Sequence, residues 1–318
     1  MGTVRLVCIG PESDGQRIDN FLITRLKGVP KSRIYRLIRK GEVRLNSGRV
    51  KPDRRLQEGD RVRIPPVRMS RSEPGPTFTD RQSVRLARQL EERILHEDDR
   101  LLVINKPAGM AVHGGSGISH GVIEALRALR PRASYLELVH RLDRDTSGCL
   151  LIAKRRSALR QLHENLRNNS LRKVYVALLA GRFPRGRKQL SAPLLKNELR
   201  DGERISQVRA DGKEAKTLFE VISYYEEATL VEARPLTGRT HQIRVHCQYL
   251  GHPVLGDRKY GDVDHNRVMR AKGVRRMLLH AAEICLPDGL NDPVGVVKAP
   301  LDGDFQGIID DFNNNKNK

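Results

Sequence analysis

The stretch 66–79 constrains the fold more than any other: it contains Pro66, Pro74, Gly75 and Pro76 and follows neither helical nor strand periodicity. Proline fixes φ and removes a backbone donor, so such a run interrupts regular structure and acts as a linker. The 318-residue chain is therefore expected to form two bodies. The expected boundaries are a small domain over 1–66, a linker and connecting helix over 67–89, a larger domain over 90–312 and a disordered Asn/Lys tail over 313–318.

The first body reads as a compact binding module. Ile18, Phe21, Leu22 and Leu26 share one helical face, with Gly28 available to end that helix. Ser32 is the expected N-cap of a second helix running to Lys40 and closed by Gly41. Its Ile34, Leu37 and Ile38 turn to the core, while Arg33, Arg36 and Lys40 fall on a separate face. Short strands are expected over 43–45, 49–50 and 61–64. Residues 1–66 hold 16 Lys and Arg against 7 Asp and Glu, so +9 of the net +21 lies here. With no His and one Cys, the module has no metal site, and binding is its expected work.

The second body alternates strands and helices. A hairpin over 94–96 and 101–105 precedes a helix over 119–129, with the glycine-rich 113–117 between them. That loop lacks the Gly-Lys-Ser/Thr ending of a phosphate loop. Further helices are expected over 157–167 and from a Thr240 cap to Gly251. Strands are expected over 173–180 and 277–286, and a strand pair over 215–235 turns near Glu226-Glu227. Many hairpins with interspersed helices imply an α+β fold with a mixed, largely antiparallel sheet.

A net charge of +21 calls for a polyanionic partner, nucleic acid first. No basic amphipathic helix with a bulky apolar face suggests a membrane surface instead. No run approaches the roughly 20 apolar residues of a membrane span, and the start lacks a signal-peptide core, so a cytoplasmic protein is expected. Cys8, Cys149, Cys247 and Cys285 form no Cys-x-x-Cys pair and read as reduced thiols. With no Trp and 4% aromatics, one defined base pocket suits the chain better than a stacking platform.

The chemistry is expected in Leu138–Leu150, where His140, Arg141, Asp143, Arg144 and Asp145 lie between two apolar runs. The chain is expected to turn at Thr146-Ser147-Gly148, and in extended backbone Arg141 and Asp143 share a side. Charged loops between core strands commonly carry catalysis. Tyr175 in a strand and Arg244 in a helix are two further polar residues within apolar elements.

Together these segments resemble the pseudouridine synthases that modify ribosomal RNA. The resemblance rests on His140-Arg-Leu-Asp143-x-x-Thr-Ser-Gly148, Lys173-x-Tyr175-x-Ala177, Gly238-Arg-Thr-His-Gln-Ile-Arg244-x-His246 and Leu279-His-Ala281, opened by Asn105-Lys-Pro-Ala-Gly109 and His113. The pattern Arg17-Ile-Asp19-x-Phe-Leu22, Pro30-Lys-Ser32 and Asn46-x-Gly48 resembles the S4 RNA-binding module. The resemblance implies isomerisation of uridine with no cofactor and no metal. It makes Asp143 the catalytic carboxylate, attacking C6 of the base or C1′ of the ribose. Arg244 would be the cation that holds it, and Tyr175 an aromatic face for uracil. Arg141, His113 and Arg239 are expected at the substrate, and Lys31, Arg33, Arg36, Arg39 and Lys40 on RNA. The implied partner is large-subunit rRNA or a pre-ribosomal particle, with no membrane and no obligatory protein partner.

Two other readings compete. A noncatalytic RNA-binding or assembly protein needs only the basic module, but leaves the three matching site positions unexplained. A metal-dependent phosphoesterase could use His140, Asp143 and Asp145, yet the ten histidines show no zinc-ligand spacing beside a carboxylate base.

Overall fold

The computed structural model describes residues 3–26, 29–67, 87–114, 121–198, 204–287 and 295–316. The chain divides into two compact units, one of Met1–Arg81 with Arg155–Ser157, the other of Gln82–Lys154 with Ala158–Lys318. The expected linker lies outside the described residues over 68–86, as do Gly28 and residues 115–117 of the glycine loop.

In the first unit, strands β1 (Arg5–Cys8), β2 (Arg44–Leu45) and β3 (Arg61–Ile64) form an antiparallel sheet in the order β1-β3-β2. Helices α1 (Ile18–Arg25) and α2 (Lys31–Arg39) close over it. Ile18, Leu22, Ile34, Leu56 and Val62 are buried in one cluster, so the apolar faces read from the sequence meet in this core. The start of α2 differs from expectation. Pro30 is the N-cap, and its carbonyl accepts from the Arg33 and Ile34 amides, whereas Ser32 is an exposed residue of the first turn. Nor do 49–50 form a strand. A tight turn with Asn46 and Ser47 at positive φ joins Leu45 to Gly48 and ends the ribbon there.

The second unit is built on a ten-stranded mixed sheet. Its strands are β4 (Ile94–Glu97), β5 (Leu101–Lys106), β6 (Glu137–Leu138), β7 (Ser147–Ala153), β8 (Arg172–Ala180) and β9 (Arg187–Ser191), then β12 (Lys216–Tyr224), β13 (Ala228–Pro235), β14 (Leu279–Cys285) and β15 (Val296–Lys298). They run in the order β4-β5-β7-β14-β8-β13-β12-β9, with β6 paired to β7 and β15 to β14. The β7–β14 pair is parallel, through His280 opposite Ser147 and Ala281 opposite Gly148. The other described pairs are antiparallel. A separate ribbon, β10 (Leu194–Glu198) with β11 (Arg204–Val208), has no counterpart in the expected elements.

The period-2 alternation of β8 builds a core on each sheet face. Ala177 and Leu179 join Phe219, Val231, Ile243 and Cys247 beneath helix α5 (Gln242–Tyr249). Leu178 joins Leu230, Met269, Phe305 and Ile308 on the opposite face. Met269 belongs to α6 (Val263–Ala271), and Phe305 and Ile308 to α7 (Gly303–Lys316). Further described helices are α3 (Val122–Leu129) and α4 (Arg156–Arg167).

Helix α7 corrects the expected tail: residues 313–316 continue a helix instead of being disordered. Asp302 accepts from the Phe305 amide at its start, and Phe312 lies 5.4 Å from the Tyr225 ring near its end, so packing carries the helix into a tract of poor propensity. Among the described residues no helix is long and apolar enough to cross a membrane.

Candidate active site

The segment expected to carry the chemistry leaves β6 and returns as β7. Its tight turn falls at Arg144-Asp145, closed by the Thr146 amide on the Asp143 carbonyl at 3.2 Å, and Ser147 and Gly148 already belong to β7. The expected turn at 146–148 is thus corrected, because the parallel pairing with β14 captures these residues as strand. Gly148 is essential to that approach: its φ is +107°, and a Cβ there would lie 2.2 Å from the Ala281 carbonyl oxygen.

Lys106, fully buried at the end of β5, fastens the turn from below. Its ammonium donates to the carbonyls of Pro107, Met110 and Arg144 at 2.8, 2.9 and 3.0 Å, using all three N–H groups. Burial pushes its pKa down to about 7, opposed by the charges of Asp145 and Asp143.

Asp143 is thereby presented at the floor of a cleft of about 740 Å³, enough for a nucleotide. Arg244 reaches it from the first turns of α5, donating from Nη1 to Asp143 Oδ2 at 2.8 Å. The same guanidinium is gripped from behind by Asp257, which accepts from Nε at 2.7 Å and from Nη2 at 2.9 Å. Asp257 is 1% exposed and Arg244 7%, so the pair is shielded from water. Burial opposes both charges, but their mutual attraction wins: Arg244 is raised above its ordinary pKa and Asp257 held below the usual carboxylate range. The amides of Lys259 and Tyr260 also donate to Asp257, and the Tyr260 ring lies 4.9 Å beneath the guanidinium carbon.

Tyr175, half-buried on β8, lines the same cleft, and burial, then the Asp143 charge, pushes its phenol pKa up. It is therefore a neutral aromatic surface beside the carboxylate. Arg141 and Arg239 are exposed on the cleft wall, and Arg239 Nε donates to the Glu214 carbonyl at 2.9 Å. His113 is not brought there. It is exposed and outside the lining, and its backbone packs against Gly121, where a Cβ would sit 2.5 Å away. Lys31, Arg36, Arg39 and Lys40 are exposed on or next to α2 of the first unit, with Arg33 half-buried.

Several participants escaped the sequence reading. Among the described residues, Arg167, Arg172 and Arg234 line the cleft beside Lys173 of the quoted motif, giving six basic side chains with Arg141 and Arg239 against one carboxylate, Asp143. Asp257 and Tyr260 lie between the helix expected to end at Gly251 and the strand expected over 277–286, where no site residue is expected. The signal there was an acidic residue directly after the apolar Val254-Leu255-Gly256. Thr240 is not the cap of α5 either: His241 holds that position with a left-handed backbone, φ 55° and ψ 22°. Among the described residues no group of three or more His, Cys, Asp or Glu is arranged to hold a metal ion.

The arrangement, a guanidinium-held carboxylate beside an aromatic face in a basic cleft, coincides with family matches. The model for RNA pseudouridylate synthases matches residues 100–249, and that for the S4 domain residues 16–62. The chain is 55% identical over 306 residues to the ribosomal large subunit pseudouridine synthase C of Pasteurella multocida, covering 96% of this chain and 93% of the relative. The chain belongs to the RNA pseudouridine synthases. The synthase is also 52% identical over 314 residues to the protein of the same name in Escherichia coli strain K12, covering 98% of each. Among solved structures it is similar to human RNA pseudouridylate synthase domain containing 4, with a TM-score of 0.60, 28% identity and coverage of 73% of this chain and 97% of that one. The synthase is an enzyme, with a mixed-sheet α+β fold and an S4 domain at its N-terminal end.

Proposed function

We propose that the synthase isomerises several uridines of large-subunit ribosomal RNA to pseudouridine in the cytoplasm, with Asp143 as nucleophile. The reaction breaks the C1′–N1 bond and joins C1′ to C5, and the C5 proton is lost as N1 gains one. It is redox-neutral and balanced, so no cofactor is called for. The observation that carries this reading is the Asp143 carboxylate, held on one oxygen by Arg244 and open to a basic cleft on the other. Nucleophilic carboxylates of this kind split one difficult substitution into two easier ones.

Arg244 fixes the direction of attack, and Tyr175 supplies the face against which uracil lies. Arg141 and Arg239 meet the phosphates on either side of the target. A uridine must leave its helix to enter, at a cost of a few kcal/mol. The exposed Lys31, Arg36, Arg39 and Lys40, with Arg33, add binding energy that offsets this cost. Support for the RNA class comes from the relatives named for the ribosomal large subunit and from the S4 domain.

The test is tritium release from unmodified large-subunit rRNA labelled at uridine C5, as free RNA and as nascent particles. Wild type should release tritium, and Asp143→Asn should bind RNA equally and release none. Turnover by Asp143→Asn would put the nucleophile elsewhere.

A further inference from the structure

His241 is a non-glycine residue at φ 55°, and the turn around it is fixed from several sides. The Gln242 side chain accepts from Thr237 Oγ1 at 2.7 Å and the Arg239 amide at 3.0 Å, and donates to the Lys216 carbonyl and Thr217 Oγ1 at 2.8 and 3.0 Å. A left-handed backbone held by so many bonds aims a side chain, and such strain gathers at functional sites. The imidazole here points two ways. Nδ1 lies 2.7 Å from the Tyr260 hydroxyl, and Nε2 lies 3.7 Å from Asp143 Oδ1.

The hydrogen bonds assign the tautomer. Tyr260 is 5% exposed, and its hydroxyl oxygen already accepts from the Ser206 amide of β11 at 2.9 Å. The hydroxyl proton then needs an acceptor, and His241 Nδ1 is within reach, which leaves the ring proton on Nε2, facing Asp143. Arg244 engages Oδ2 of the same carboxylate.

We infer that His241 is a positioning residue for the reaction, its Nε2–H restraining Oδ1 of Asp143 as Arg244 holds Oδ2, with Tyr260 and Ser206 fixing the tautomer. This rests on the reading of Asp143 as nucleophile. At 3.7 Å the contact is an electrostatic restraint and not a formed hydrogen bond, so it orients Oδ1 while leaving a lone pair for the uridine. The charged groups facing the ring are Asp143 and Asp257 on one side of the balance and Arg244 and Lys259 on the other, with the neutral Tyr260 phenol. The charges oppose one another, and burial decides for the neutral imidazole. A protonated ring would grip Oδ1 more tightly and quench it.

The test compares His241→Asn and Tyr260→Phe with wild type by single-turnover tritium release across pH, alongside RNA affinity and melting temperature. Asn tolerates the left-handed backbone, and Phe keeps the ring beneath Arg244. His241→Asn should lower the maximal rate roughly tenfold or more with unchanged RNA affinity. Tyr260→Phe removes the donor that favours a bare Nδ1, so the acid limb of the rate profile should move to higher pH by half a unit or more. Wild-type rate and profile in both variants would overturn the inference. So would rate losses that only track melting temperature and leave the profile unmoved. If Asp143→Asn also turns over, the reading of the nucleophile has failed. If it is inactive while both variants match wild type, only the role of His241 has failed.

Discussion

Arg244 gives Nε and Nη2 to Asp257 and keeps Nη1 for Asp143, so one guanidinium ties the cleft carboxylate to a buried anchor. Lysine cannot copy this, because a single ammonium has no planar fork to span two carboxylates. Arg244→Lys should bind RNA within about threefold of wild type and lose about a hundredfold or more in single-turnover rate, the usual cost of a misplaced reacting group. Equal loss of affinity and rate would mean that Arg244 serves binding instead.

Asp257→Asn probes the other end. Removing one member of a buried ion pair costs about 3–5 kcal/mol, since the partner charge stays uncompensated. The variant should melt well below wild type and lose turnover even where folded. A melting temperature within a degree or two of wild type would show that water reaches Arg244.

Stability should fall with acid. Burial holds His140, His241, His246 and His280 below their ordinary pKa, with His140 down to about 3. The unfolded chain, with histidines near 6.5, then binds more protons than the native state. Their contribution is full above about pH 6.5 and is lost as pH falls toward each folded value, at roughly 1.4 kcal/mol per pH unit for His140. His140 Nε2 must stay bare to accept from the Leu151 amide at 3.1 Å, so protonation also breaks that bond. Melting curves between pH 8 and 5 check this, and a temperature that rises toward pH 5 would contradict it.

Gly148→Ala should prevent normal folding, costing about 3 kcal/mol or more, since it combines a positive φ with a Cβ 2.2 Å from the Ala281 carbonyl. Soluble expression and thermal denaturation give the readout, and a stable, active variant would refute the close approach.

RNA affinity should fall about 10³–10⁵-fold between 50 and 200 mM salt if six to ten phosphates are neutralised. Arg167→Ala and Arg172→Ala should each lower the log–log salt slope by about one while leaving saturated turnover near wild type. Unchanged slopes would remove these two arginines from the RNA path.

The sequence revealed elements whose pattern is local. The alternation along β8 and the strand pair turning at Glu226-Glu227 are set by neighbours in the chain, and they occur as expected. Asp143, Tyr175 and Arg244 stood out as polar residues within apolar elements, and all three line or hold one cleft. What stayed hidden depends on distant partners. Asp257 matters because α5 lies against it, and His241 takes the cap position from Thr240 because Gln242 is tied to Lys216 and Thr217. The β10–β11 ribbon meets the segment after α5 through Ser206 and Tyr260, a contact across 54 residues that no short window displays.

The parallel register between β7 and β14 spans only two residue pairs, stitched by Ser147 Oγ to His280 Nδ1 at 2.8 Å. It joins two otherwise antiparallel halves of the sheet, one carrying Asp143 and the other supporting Arg244. Ser147 and His280 lie 133 residues apart in the chain, so the seam closes only when a long intervening loop has been drawn together. Pairings of such long range form slowly, so the cleft is completed by a seam that neither half of the sheet makes alone.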